Sequence, residues 1–294
     1  MVTIEQDKCT GCGVCVRICH EHCMAVHSGK ISIDYASCST CAQCIAACPE
    51  RALAWDYIPA TLFNAQLMPT PDQMDELLKQ RRTARHFRPD KISREALEKL
   101  ATYGAYAPTH SHNFRMLIID DGAIIDVMDR VLMKYTSRIY SLLFKPKIIY
   151  FIMKLFAPSM EGEYLRAKTK LKAGVKRGAI LRNRPAAFIA VIGSSHTPLS
   201  LESAQYIIYN LTLVAQAIGW GCRNLVGNQA ILNRNGGFRK VLNLNKADRI
   251  FGLVGVGYPS AKYLNKVEGR KLPIQWNGEI ERQPTGKNKR RANT

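Results

Sequence analysis

The sequence predicts an α+β protein in two parts, and three observations carry that prediction. Nine of the ten cysteines fall before residue 50, eight of them in two runs of identical spacing. The charge changes sign along the chain: residues 1–58 hold four Lys or Arg against six Asp or Glu, so that segment is −2 and the remainder is +21 within a formal net charge of +19. Beyond residue 70, apolar stretches of helical spacing alternate with short strand-like runs, and a hydrophobic content of 47% supplies a sizeable core. The expected organisation is a cysteine module over 1–58, a linker over 59–71, a larger domain over 72–280 and a basic tail over 281–294.

The first run reads Cys9-x2-Cys12-x2-Cys15-x3-Cys19, and the second reads Cys38-x2-Cys41-x2-Cys44-x3-Cys48-Pro49. The second repeats the first at an offset of 29, as 38 less 9 and 48 less 19 both show. Eight thiols so spaced overfill a tetrahedral zinc site, and disulfides would need an oxidising compartment. The spacing resembles that of the two-cluster bacterial ferredoxins, in which each fourth cysteine serves the other cluster. That resemblance implies two 4Fe–4S clusters, one on Cys9, Cys12, Cys15 and Cys48, the other on Cys38, Cys41, Cys44 and Cys19. His20 stands where the pattern usually has proline. Cys23 reads as a buried thiol beside a cluster, and His20 and His22 as groups that shield or tune one by hydrogen bonding.

In order, 25–26 and 31–33 read as short strands around a Ser28-Gly29 turn, with 52–55 as a later strand. Pro59, Pro69 and Pro71 mark the linker. Thr70-Pro71-Asp72-Gln73 carries the signature of a helix start, with a hydroxyl cap, proline at the first position and glutamine at the third. A helix is expected over 71–82, a second over 94–103 after Ser93, and a strand over 116–119. Residues 185–192 read as a buried strand, 201–218 as a long apolar helix closed by Gly219-Trp220-Gly221, and 251–258 as the last strand before Pro259.

This order resembles the nitroreductase family of FMN enzymes. The resemblance rests on Arg81-Arg82-Thr83-Ala84-Arg85, on the loop from Pro108 to Asn113, on the central helix with its glycine exit and on the final Gly257-Tyr258-Pro259 turn. It implies an FMN phosphate held by Arg81, Arg82, Thr83 and Arg85, with Arg270 and Lys271 on the same phosphate. It further implies Val226 and Gly227 facing the flavin ring, and Pro108, Thr109 and Asn113 contributed by the second subunit of a homodimer. Physical chemistry agrees: a phosphate dianion wants guanidinium forks and hydroxyls, and alternate residues of an extended segment share one side. His110 and His112 border the loop as candidate proton donors, and Cys222 reads as core packing.

Together these imply an FMN-dependent oxidoreductase with iron–sulfur clusters. It would take single electrons from an acidic donor such as reduced ferredoxin and deliver pairs to a nitro compound, quinone or activated alkene. An electron-carrying subunit and a membrane-surface quinone reductase are the alternatives. The first eight residues lack the basic start and apolar run of a signal peptide, so a reducing, anaerobic cytoplasm is expected, with peripheral contact at the inner membrane surface left open. The basic body carries no nucleic-acid-binding signature, and nucleic acid is not an expected partner.

The segment 139–156 is the most individual. Thirteen of its 18 residues are apolar or aromatic, broken by Lys145, Pro146, Lys147 and Lys154, which is short of a membrane span. Three readings stay open: a core helix covering a dimer, a lid over an apolar substrate, and an interfacial membrane anchor. Lys168, Lys172 and Lys176 then recur at helical spacing, as a solvated or docking face would.

Overall fold

The computed structural model describes residues 1–110, 113–181, 183–267, 272–274 and 276. They fall into two units, Met1–Tyr263 and Leu264–Thr294. In the second unit no described residue lies in a helix or strand, and Leu272, Ile274 and Trp276 expose their side chains. Arg270, Lys271 and the tail 281–294 lie outside the described residues, as does His112.

The cysteine module contains β1 (Val2–Ile4), α1 (Val14–Ile18), β2 (Met24–His27), β3 (Lys30–Ile33), α2 (Gln43–Ala47), β4 (Leu53–Trp55) and β5 (Ile58–Pro59). One antiparallel sheet has the order β1-β4-β5, and β2 pairs with β3 in a second. The 29-residue repeat in the cysteines extends to the backbone. Left-handed φ recurs at Gly11 and Thr40, Gly13 and Ala42, and His22 and Arg51. Strand register repeats too: Val2 faces Trp55, and Ile31, which lies 29 beyond Val2, faces Val26, which lies 29 before Trp55. Each half therefore places its cysteine loop and one-turn helix on the same scaffold. Val2, Met24, Ile31 and Leu53 fill the small core between them.

Residues 60–70 form an exposed connector with a short 3₁₀ turn at Ala65–Leu67. Then α3 (Pro71–Gln80) starts on the expected reciprocal cap, Thr70 Oγ1 accepting from Gln73 N–H at 3.3 Å and Gln73 Oε1 from Thr70 N–H at 2.9 Å. Ser93 caps α4 (Arg94–Thr102). The rest of the body runs β6 (Phe114–Ile119), α5 (Gly122–Ile139), α6 (Lys147–Phe156), α7 (Glu161–Arg177), β7 (Ala187–Ser194), α8 (Ser200–Ala217), β8 (Gly221–Asn224), α9 (Asn228–Arg234), α10 (Gly236–Val241) and β9 (Asp248–Gly257).

Four of these strands make an antiparallel sheet of order β6-β7-β9-β8. Its faces are both covered, so β7 reads as an unbroken apolar run rather than an alternation. Ala187, Ile189 and Val191 pack toward α4 and α8, whereas Phe188, Ala190 and Ile192 pack toward α5, α9 and α10. Ile208 of α8 seats directly over Gly252, where an added Cβ would overlap it. Truncating a fully buried side chain such as Leu211 to alanine would cost about 2–5 kcal/mol.

Two expected elements change. The helix expected over 71–82 stops at Gln80, because Arg82 turns back to donate to the carbonyls of Lys79 and Arg81, each at 2.7 Å. The apolar segment 139–156 is not one helix. α5 passes into a π-helical turn at Tyr140–Phe144, Pro146 breaks the path, and α6 starts anew.

Candidate functional site

The cysteines converge on two chambers. Cys9, Cys12, Cys15 and Cys48 line the first, and Cys19, Cys38, Cys41 and Cys44, with Cys23, line the second. Each chamber takes three thiols from one run and one from the other, and the second also has Cys23 in its wall. The left-handed residues explain the local shape: Gly11 lies against the Gly29 carbonyl, where a Cβ would overlap backbone, and Gly13 and Ala42 turn the chain into α1 and α2. Apolar neighbours complete the walls, Val26, Ile31 and Leu53 in the first and Val2, Met24 and Ile33 in the second. Among the described residues no three His, Cys, Asp or Glu side chains gather as ligands of one metal ion. The thiols surround a space instead.

Hydrogen bonds shape the sulfur environment. Ala52 N–H donates to Cys48 Sγ at 3.3 Å, and Lys30 Nζ clamps the first loop through the Gln6 and Cys9 carbonyls at 2.7 and 2.9 Å. Burial pushes the Cys44 thiol up to about 11 and raises Cys15 as well. The repeat places Cys23 where the other half has Ala52. Its sulfur lies 3.4 Å from Cys19 Sγ, and burial, then the Cys19 contact, push its thiol up to about 12. His20 borders the second chamber, while exposed His22 serves the turn, its N–H donating to the Cys19 carbonyl at 3.3 Å.

In the body, the basic segment after α3 runs along the β8 edge of the sheet. Thr83 bridges in parallel to Cys222, whose carbonyl accepts from Ala84 N–H at 2.9 Å. Ala84 points into the core, while Thr83 and Arg85 are exposed and Arg81 is half-buried. The extended alternation expected of Arg81, Thr83 and Arg85 is therefore present. Arg82 is engaged in ending α3. Arg223 of β8 joins the same edge: burial lowers its guanidinium from the ordinary value, and Arg85 lowers it further. Only its place in a short strand marked it, so sequence reasoning passed over it. Cys222 is buried as expected, which pushes its thiol up to about 12. Just beyond β8, Val226 is exposed and Gly227 takes φ +89°.

Residues 108–110 and 113 stand elsewhere. His110 N–H donates to Ser203 Oγ at 3.2 Å, near the start of α8, whereas Gln216 near its end donates to Gln80 beside Arg81, also at 3.2 Å. From 203 to 216 the helix rises about 20 Å. Within one chain, then, Arg81, Thr83, Arg85, Val226 and Gly227 share the β8 edge, and Pro108, Thr109, His110 and Asn113 do not join them. Among the described residues two buried side-chain oxygens have no hydrogen-bond partner, Thr109 Oγ1 and Gln229 Oε1. One lies in each of these separated regions, and each is a group suited to a bound polar ligand. Gln229 had no motif to reveal it.

Comparisons with known proteins follow the body rather than the cysteine module. No curated protein sequence matches the chain. Among solved structures, the fold is similar to that of an oxidised iodotyrosine deiodinase bound to FMN and 3-iodo-L-tyrosine, at 20% identity and a TM-score of 0.51, covering 69% of this chain and 98% of the other. It is also similar to an FMN-bound nitroreductase from Desulfitobacterium hafniense, at 14% identity and a TM-score of 0.50, covering 68% and 97%. The family model described as Nitroreductase family matches residues 78–258, which span the basic edge, α8, the glycine exit and β9. This chain belongs to the nitroreductase family.

Proposed function

We propose that this protein, an FMN-dependent oxidoreductase of the nitroreductase family, is an iron–sulfur flavoprotein that acts as a homodimer. It receives single electrons from a low-potential acidic donor of the ferredoxin kind and reduces an electron-poor organic molecule such as a nitro compound, quinone or activated alkene. The observation that carries the reading is the interleaving of the two cysteine runs around two chambers. Four soft donors around a space suit a cubane better than a single ion, and apolar walls with N–H donation to sulfur are the means by which a protein tunes one. When bound, such clusters supply one-electron transfer and flavin stores the pair a substrate needs.

The chain's own residues fit those groups. Cys9, Cys12, Cys15 and Cys48 would hold one cluster, and Cys19, Cys38, Cys41 and Cys44 the other. Arg81, Thr83 and Arg85 present donors along one edge for a phosphate, with Arg223 adding positive potential and the Val226–Gly227 backbone beyond. The rise of about 20 Å along α8 from Ser203, which His110 contacts, to Gln216, which contacts Gln80, favours a site completed by a second copy, whose loop would bring Thr109 and Asn113. Iron and flavin analysis of anaerobically purified protein tests the reading. It should hold about eight irons and one FMN per chain. A zinc-bearing, iron-poor protein made without oxygen would refute the cluster assignment.

A further inference from the structure

The helix α6 turns its apolar face outward. Ile148, Phe151, Ile152, Leu155 and Phe156 recur at the i, i+3, i+4, i+7, i+8 positions of one helical face, and their exposure runs from 48% at Ile152 to 79% at Phe156. The opposite face is the one tied down. Tyr150 donates to the Glu161 carboxylate and packs against the Tyr164 ring at 5.7 Å, while Tyr164 stacks on Phe144 at 4.8 Å and donates to the Leu143 carbonyl at 2.9 Å. The outward direction of the apolar stripe is thus set by contacts on its back. Leu142 before the helix and Met160 after it extend the exposed patch.

The sequence on either side of this patch is one-sidedly basic. From 145 to 177 the chain carries nine Lys or Arg and two acids, Glu161 and Glu163. Lys145 and Lys147 precede the stripe, and Lys154 lies along its flank, 3.7 Å from Glu161. Among the described residues no carboxylate lies within ion-pair distance of Lys168, Lys172 or Lys176 on α7. An apolar stripe with Lys145 and Lys147 at its start, followed in the chain by a basic helix, is the composition that lies in a lipid interface, with aromatic and aliphatic side chains below the headgroups and ammonium groups among them. At ten residues α6 rises about 15 Å, half the hydrocarbon thickness, so it would lie on the bilayer rather than cross it. Among the described residues no helix is long and apolar enough to cross a membrane. A second copy seated on the same face would bring its own basic segments against this one's, with few acids to offset the repulsion.

We propose that α6, with Lys145 and Lys147 at its start, docks this protein on an anionic lipid surface. The inference rests on the outward stripe and the lysines at its start, and does not depend on which cofactors the protein holds. Flotation of the full-length protein with vesicles tests it, comparing phosphatidylcholine alone with phosphatidylcholine containing phosphatidylglycerol. The protein should float with the anionic vesicles at low salt. It should be released at about 1 M salt, where the screening length falls to about 3 Å. Phe151→Ser with Leu155→Ser should lower the bound fraction at least about tenfold with flavin content unchanged. Lys145→Glu with Lys147→Glu, a purely surface exchange, should do so at low salt even if the first variant loses its fold. Absence of flotation, equal flotation on neutral vesicles, or unchanged flotation of the Lys145→Glu and Lys147→Glu protein would overturn the proposal. So would a shift from dimer to monomer, or a raised KM for the acceptor, in Phe151→Ser with Leu155→Ser whose vesicle binding is intact. Those outcomes would assign the face to a subunit contact or to a substrate lid.

Discussion

The cysteine module and the larger body solve the same problem, gathering donors around a group, in opposite ways. In the module all eight thiols come from 40 residues of one chain, and two copies of one 29-residue unit exchange a single cysteine each to close both chambers. In the body the basic β8 edge and the 108–113 loop lie at opposite ends of α8, and one chain does not bring them together. A site built by local repetition is complete when its segment folds. On the proposed reading, a site whose parts lie at the two ends of a long helix depends on packing beyond the single chain. Assembly should therefore govern flavin binding and leave iron content untouched.

The largest effect should come from breaking assembly. Tyr206 and Tyr209 expose their side chains along α8 between Ser203 and Gln216, the positions that mark the two halves of the proposed flavin site. Tyr206→Asp with Tyr209→Asp should convert a dimer to a monomer and weaken FMN retention at least about tenfold, or about 1.4 kcal/mol. Iron per chain should stay the same. Light scattering with parallel flavin and iron assays reads both, and equal loss of iron would erase the contrast between the two regions.

A smaller effect should follow from a single donor at the β8 edge. Arg81→Ala should weaken FMN binding by about 1.5–3 kcal/mol if its guanidinium meets the phosphate, since a charge-assisted bond is removed. Flavin titration of the apoprotein measures it. Unchanged affinity in Arg81→Ala, Thr83→Ala and Arg85→Ala would put the phosphate elsewhere.

The smallest effects should divide the two halves of the module itself. Gly11 and Thr40 occupy matching left-handed positions, at φ +69° and +56°. Gly11→Ala should destabilise the module by about 1–2 kcal/mol from backbone conformation alone, and more from the overlap with the Gly29 carbonyl. Thr40→Gly, which relieves the same strain, should shift stability by less than about 1 kcal/mol in the favourable direction. Thermal loss of cluster absorbance under argon follows both. Equal destabilisation would mean that the repeat in backbone shape carries no strain.

What could be read from the chain followed the same division. The pairing of cysteines across the two runs was legible through the resemblance of their spacing to that of the two-cluster bacterial ferredoxins, in which each fourth cysteine serves the other cluster. The start of α3 was legible because Thr70 and Gln73 cap each other locally. Its end was not, because Arg82 reaches back to carbonyls and Thr83 is drawn to Cys222, a strand distant in sequence. The separation of the basic edge from Pro108, Thr109 and Asn113 came only through the family resemblance, which gives that loop to the second subunit, because it is set by how α8 packs. Arg223 and Gln229 gained meaning only from their neighbours in space. The exposure of α6 was hidden as well, since an apolar stripe looks alike in a core and on a surface until Tyr150 and Tyr164 show which side is held.

The relay from cysteine module to flavin is the central claim, and one ratio tests it most directly. Activity driven by reduced ferredoxin is divided by activity driven by a small artificial donor that reaches the flavin itself, both measured anaerobically at matched flavin content. In Cys12→Ala, which removes an exposed thiol from the first chamber, the ferredoxin-driven rate should collapse while FMN and the artificial-donor rate persist. The ratio should therefore fall toward zero. A ratio equal to that of the unaltered protein, despite loss of the first cluster, would show that electrons enter the flavin without passing through that cluster, and would contradict the account.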